Sequence, residues 1–175
     1  MHTIYFYNIC CQGWEITLLT LEERVCGLIL PNFATKRAPL FEVSPCFKHL
    51  KRHLKKVKFE KGRNFLFQEV QKTLTAYFNK HLSAFSLPLT FIGTPFQKTV
   101  WKALLHIPYG ETITYRALAE RLKRPRAFRA VAQACRANPL PILIPCHRVI
   151  GQKGLTGYAA GLAWKEFLLN LEKGK

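Results

Sequence analysis

The hydrophobic pattern changes period part-way along the chain, and that change limits the folds open to it. Residues 2–30 are rich in β-branched and aromatic side chains. They predict three strands, His2 to Ile9, Trp14 to Leu21 and Arg24 to Leu30, with turns at Gly13 and at Glu22-Glu23. From Ser44 onward the period is helical. Ser44-Pro45 and Thr94-Pro95 each read as an N-cap followed by proline at the first helical position. The first predicts a basic helix over residues 45–58 that carries Lys48, Lys51, Arg52, Lys55, Lys56 and Lys58. The next runs from Asn64 to about Asn79, with Leu66, Val70, Leu74, Tyr77 and Phe78 on one core-facing stripe. The expectation is an α/β N-terminal domain over residues 1–88, an antiparallel sheet with helices. A mainly α C-terminal domain over 89–175 follows it, after a linker at Phe85-Ser86-Leu87-Pro88-Leu89.

In the second half, Phe96, Val100, Ala103 and Leu104 mark the inward face of the helix that Thr94 caps. Two short helices, about Tyr115–Leu122 and Arg126–Ala137, are split by Lys123-Arg124-Pro125, which makes them a helix-turn-helix candidate. On the second of the pair, Ala127, Ala130 and Ala134 form a small-residue face. Phe128, Val131 and Cys135 form an apolar stripe, with Phe128 expected to turn inward, while Arg129, Gln133 and Arg136 project elsewhere. The alanines have two readings: close packing of two helices, or close approach to a sugar-phosphate backbone.

Charge favours a polyanionic partner. The chain has 27 Lys plus Arg against 10 acids, a net +17, and every acid is glutamate. Each phosphate neutralised by such a surface releases counterions. Without aspartate there is no Asp-built Mg²⁺ site, EF-hand loop or Ser-His-Asp triad. The cysteines at 10, 11, 26, 46, 135 and 146 include no C-x-x-C pair. Cys10, Cys11, Cys26 and Cys46 leave a zinc site open, as well as a disulfide from Cys26 to Cys10 or Cys11. Met1 to Tyr5 lack the basic flank of a signal peptide, and no apolar run reaches the length of a membrane span. The expected location is the cytoplasm, with no membrane partner.

Pro145-Cys146-His147-Arg148-Val149 carries the chemistry. It follows the apolar run Ile142-Leu143-Ile144, which reads as a buried strand and places the cysteine at a strand end. The thiolate is the reactive form, and a neighbouring imidazole or guanidinium favours it at neutral pH. Alternatively, Cys146 is one more small buried hydrophobe.

Further segments stand around the pentapeptide in a fixed order: Gly93-Thr94-Pro95-Phe96-Gln97, Ile107-Pro108-Tyr109-Gly110-Glu111-Thr112, Asn138-Pro139-Leu140-Pro141, and the glycine-rich loop from Gly154 to Leu162. Together they resemble the O6-alkylguanine-DNA alkyltransferase family, densely over residues 91–172 and more thinly before. The resemblance implies a ribonuclease-H-like first domain and a winged-helix-like second one. It implies irreversible, one-time transfer of an alkyl group from O6 of guanine in double-stranded DNA to Cys146, by a monomer with no cofactor and no metal. His147 would be the base, acting through a water, and Glu172 would orient it. Tyr115 would contact the 3′ phosphate and the purine, and Asn138 would tie helix to strand.

The same resemblance sends the second helix into the minor groove. Arg129 would fill the gap left by the flipped nucleotide, with Ala127, Ala130, Ala134, Gln133 and Arg136 on the DNA face. Pro141, Val149, Tyr158, Ala159 and Ala160 would line the pocket. Ala160 stands where other members have glycine, so the pocket should be narrow. Alternative readings are a non-catalytic lesion binder, a thiol hydrolase and an alkylation-sensing transcription factor.

Overall fold

Strands rich in β-branched and large apolar side chains build the sheet of the first half. In the computed structural model, which describes residues 2–62 and 64–174, β1 (His2–Cys11), β2 (Trp14–Leu21) and β3 (Arg24–Ile29) form an antiparallel meander. Its two turns use left-handed backbone at Gln12-Gly13 and at Glu22-Glu23. Every β2 residue except Glu15 is buried, so this strand is covered on both faces.

A fourth strand was not expected. β4 (Val57–Lys61) runs parallel to β1, giving the order β3-β2-β1-β4, so the sheet is mixed rather than antiparallel throughout. The expected basic helix over 45–58 is therefore three pieces. Helix α1 (Pro45–His53) stops at Leu54, whose backbone is extended. Lys55 and Lys56 make the turn, and Lys58 lies in β4 and pairs with Glu60. The physical reason is local: Val57-x-Phe59 alternates, and both side chains pack on the core.

The capping expectations locate the helices. Ser44 accepts from the Phe47 N–H at 3.1 Å with Pro45 behind it. Helix α2 (Phe65–Phe78) buries Leu66, Val70, Leu74, Tyr77 and Phe78. The core of this half gathers Ile4, Leu19, Leu21, Cys26, Ile29, Phe41, Cys46, Leu50 and Ile92. All six cysteines are free thiols, and the neighbour of Cys26 is Cys46, not Cys10 or Cys11. The chain divides into two compact units, Met1–Ile92 and Gly93–Lys175.

In the second unit, α3 (Pro95–Leu104) opens with a reciprocal capping box between Thr94 and Gln97. Val100 and Leu104 are buried, whereas Phe96 and Ala103 are only half-buried. Trp101, fully buried, donates its indole N–H to the Ala134 carbonyl at 2.8 Å and fixes α3 against α5 (Phe128–Arg136). Helix α4 (Tyr115–Arg121), capped by Thr114, reaches α5 through a short 3₁₀ turn at Pro125–Ala127. Strands β5 (Ile113–Thr114) and β6 (Val149–Ile150) pair in parallel, and α6 (Leu162–Glu172) closes the unit. Among the described residues no helix is long and apolar enough to cross a membrane.

Candidate active site

The run before the pentapeptide is buried but is not a strand. Ile142, Leu143 and Ile144 lie in a turn, and Ile142 adopts φ 71°. Their contribution is burial: this apolar knot carries the chain to Pro145 without sheet pairing. Cys146 then opens a 3₁₀ turn, Cys146–Arg148, and the strand β6 comes after it instead of before. The turn sends the Cys146 side chain to Asn138 and those of His147 and Arg148 to Glu172.

Cys146 is 5% exposed, and its sulfur receives the Asn138 side-chain amide at 3.1 Å. The same nitrogen holds the Ile144 carbonyl at 2.9 Å, while Asn138 Oδ1 accepts from the Leu140 N–H at 3.0 Å. One asparagine thus fastens the bend after α5 to the turn at Cys146. His147 is fully buried, and its Nε2 lies 2.8 Å from Glu172 Oε1. Glu172 also accepts from Arg148 at both oxygens, at 2.9 and 3.0 Å, and from the Gly110 N–H at 3.1 Å. A carboxylate taking that many donors is an acceptor, so Nε2 of His147 carries the hydrogen. Its Nδ1, buried and without a hydrogen-bond partner among the described residues, keeps its lone pair. Arg148, whose role sequence left open, completes the set by donating Nη1 to the Ile107 carbonyl at 2.6 Å.

Electrostatics correct one expectation. Burial pushes the Cys146 thiol up, more than Asn138, Lys165 and Tyr158 bring it down, so the sulfur rests protonated rather than ionised at neutral pH. Burial likewise lowers His147, although Glu172 raises it, so the imidazole rests neutral. The arrangement is a neutral thiol followed in the chain by a neutral base whose far nitrogen is anchored.

Residues 95–174 match the family described as 6-O-methylguanine DNA methyltransferase, DNA binding domain. A methylated-DNA–protein-cysteine methyltransferase of Methanosarcina barkeri is 57% identical over 108 residues, which is 61% of this chain and 68% of that protein. Its counterpart in Methanosarcina acetivorans is 48% identical over 132 residues, 68% of this chain and 85% of that protein. This chain belongs to the methylated-DNA–protein-cysteine methyltransferase family. The likeness extends to the whole fold. The crystal structure of Mycobacterium tuberculosis O6-methylguanine methyltransferase superposes with a TM-score of 0.76 at 36% identity, over 98% of this chain and 93% of that one. The same organism's protein in complex with DNA superposes with a TM-score of 0.75 at 34% identity.

In this methyltransferase, the other residues singled out by sequence fall into two groups. Around the thiol, Tyr115, Pro141 and Tyr158 are half-buried and Val149 is fully buried, while Ala159 is exposed and Ala160 half-buried. Burial pushes the Tyr115 phenol up against a hydrogen bond with Thr156, with the Cys146 thiol raising it further, and a hydrogen bond from Tyr158 brings the Cys146 thiol down. On α5, Arg129, Ala130, Gln133 and Arg136 are exposed and Ala127 is half-buried. Ala134 departs from the expected small-residue face. It is 2% exposed, turned to the interior beside Trp101. Phe128 also departs from expectation. It is only half-buried, and the guanidinium groups of Arg116 and Arg129 stand 5.6 and 5.8 Å from its ring centroid. Two cations stacked against its ring hold it at the surface.

Sequence reasoning missed Lys165 as a member of this site. Its buried ammonium donates to the Val149 carbonyl at 2.7 Å and the Thr156 carbonyl at 3.0 Å. A signal was present. Lys165, Leu168, Leu169 and Glu172 stand at i, i+3, i+4 and i+7, the spacing of one helical stripe, and all four are buried. Among the described residues no cluster of three His, Cys, Asp or Glu side chains could hold a metal ion.

Proposed function

We propose that Cys146 is the sulfur to which this methyltransferase moves the methyl group from O6 of guanine, once per molecule. One observation carries the choice: Cys146 is followed by a buried imidazole whose Nε2 is tied to Glu172 at 2.8 Å and whose Nδ1 is left as a base. The thiol proton passes to Nδ1 of His147 through a water. Sulfur attacks the methyl carbon in line, the S–C bond forms and the C–O6 bond breaks. Negative charge moves onto the purine, where a proton or a hydrogen bond must meet it. The Tyr115 hydroxyl and the Ala159 N–H are the donors assigned to that task. Pro141 and Tyr158 bracket the ring, and the carbonyls of Cys146 and Val149 take the exocyclic amine.

The methylated guanine reaches this sulfur only outside the stack, so the partner is double-stranded DNA with the lesion nucleotide flipped from the minor groove. Helix α5 supplies the contact through Arg129, with Ala127, Ala130, Gln133 and Arg136 beside it. Arg129 replaces the departed base between its neighbours. The product is a thioether, and the protein acts as a monomer of the cytoplasm, with residues 1–88 as scaffold and 89–175 as acceptor and DNA-binding domain.

The test is mass spectrometry after incubation with a duplex containing O6-methylguanine. The expected result is a gain of one methyl group at Cys146, lost in Cys146→Ala. Methyl on another thiol, or on none, overturns the assignment.

A further inference from the structure

Arg129 has no backbone reason to meet its neighbour in the chain. Adjacent helix positions do not face each other, and Arg129 is exposed on α5 and belongs to no described ion pair. Its guanidinium nevertheless lies 5.8 Å from the centroid of the Phe128 ring. The guanidinium of Arg116, reaching across from α4, lies 5.6 Å from the same centroid, and Arg116 too is exposed and outside every described ion pair. Two like charges therefore gather at one ring. The ring's quadrupole offsets their repulsion, and an arriving phosphate would remove it. The ring itself is out of place for a core residue. Val131 and Cys135, further along the same stripe, are buried, whereas Phe128 is only half-buried. The stripe leaves the interior at its first member, where the 3₁₀ turn Pro125–Ala127 hands the chain to α5. The helix-turn-helix thus carries an aromatic ring at its surface, contacted by one arginine from each of its helices.

We propose that Phe128 is the positioning residue for Arg129, with Arg116 steadying the ring from α4. This rests on the reading of Arg129 as the side chain that replaces the flipped nucleotide. An exposed arginine samples many rotamers, and entering the base stack fixes it in one. Packed on Phe128, the planar guanidinium is confined before DNA arrives, so less freedom is lost on insertion. The effect belongs to the step that opens the duplex. Transfer from a base that needs no flipping does not use it.

The experiment is single-turnover methyl transfer from a lesion-bearing duplex and from the free base O6-methylguanine. It compares the native protein with Phe128→Leu, Phe128→Tyr, Arg129→Ala and the double variant Phe128→Leu/Arg129→Ala. Phe128→Leu keeps an apolar side chain without a ring. It should slow transfer from the duplex by about fivefold and leave reaction with the free base as it was. Phe128→Tyr should restore the native rate. On the Arg129→Ala background, Phe128→Leu should cause no further loss, because nothing is left to position. A native duplex rate in Phe128→Leu, or an equal loss on both substrates, overturns the proposal. So do losses that multiply in the double variant, which would make the ring a DNA contact of its own. Should Phe128→Leu not fold, the native protein still decides. The NMR signals of the Arg129 Cδ protons should be displaced by the ring current of Phe128, and a shift equal to that of free arginine sinks the idea. Arg129→Ala alone tests the flipping reading, since a native duplex rate there removes Arg129 whatever Phe128 does.

Discussion

The side-chain amide of Asn138 donates to the Cys146 sulfur across 3.1 Å and to the Ile144 carbonyl across 2.9 Å. A single residue therefore both favours the thiolate and holds the turn that presents it. Asn138→Ala removes both bonds and also orphans the buried Leu140 N–H. It should lower stability by about 2–3 kcal/mol, read by urea denaturation, and slow methyl transfer. Native stability with native transfer would show that the amide is idle.

Glu172 is the common acceptor of His147, Arg148 and Gly110. Glu172→Gln keeps the shape but strands a buried guanidinium, a loss of about 3–5 kcal/mol. It also frees the imidazole to turn. Single-turnover transfer should fall by about 100-fold or more, against a control in which Glu166→Gln, on the exposed face of α6, leaves the rate as it was.

Gly110 combines φ 77° with close packing, since a Cβ there would meet the Glu172 carbonyl oxygen at 3.2 Å. Gly110→Ala should cost about 1–2 kcal/mol through backbone strain. Its N–H would also shift from Glu172, so transfer should slow in parallel. A thermal melt and a single-turnover assay together decide this.

Stability should be flat only near neutral pH. Burial pushes the Cys11 thiol up to about 11 and Cys46 up to about 12, from an ordinary 9, and raises Cys26, Cys135 and Cys146 as well. Raised groups stabilise fully below the unfolded value and lose that contribution as pH climbs through the folded one. Unfolding free energy should therefore drop above pH 9, by up to about 1.4 kcal/mol per pH unit for each thiol that stays protonated. His49 and His147 are lowered by burial, so their contribution is present above 6.5 and disappears as pH falls through the folded values. Urea unfolding from pH 5 to pH 11 should show a plateau between 6.5 and 9, and Cys46→Ala should soften the alkaline edge.

Arg129 is exposed and packs on Phe128. Arg129→Ala should leave stability within about 0.5 kcal/mol of native. Transfer from a lesion-bearing duplex should drop at least tenfold, whereas reaction with the free base O6-methylguanine should be unaffected. Equal losses on both substrates would remove Arg129 from nucleotide flipping.

Much of the fold was legible because its signals are local. Ser44-Pro45 and Thr94-Pro95 do cap helices, since a side-chain oxygen and a fixed φ act within one turn. The α2 stripe is the buried one for the same reason. What escaped depended on partners distant in sequence. β4 is a strand because β1 offers an edge beside it, so the lysine run reads as helix until that edge is known. Ile142 to Ile144 are apolar enough for a strand, but no strand pairs with them, and they became a buried turn. Ala134 shares its helical spacing with Ala127 and Ala130, and only its burial in the folded unit shows that it faces inward.

Sequence by itself determined which atoms are available for chemistry: one thiol beside an imidazole, a basic helix-turn-helix, and no aspartate to support other enzymes. Tertiary structure decided how those atoms are charged and which of them meet. Burial, which no single residue specifies, keeps the sulfur protonated and the imidazole neutral. Folding α6 back onto the turn at Cys146 brings Glu172 to His147 and Lys165 to the Val149 carbonyl across 25 and 16 positions of chain. Electrostatic energy depends on distance and on exclusion of water, and both are set only when the chain closes on itself.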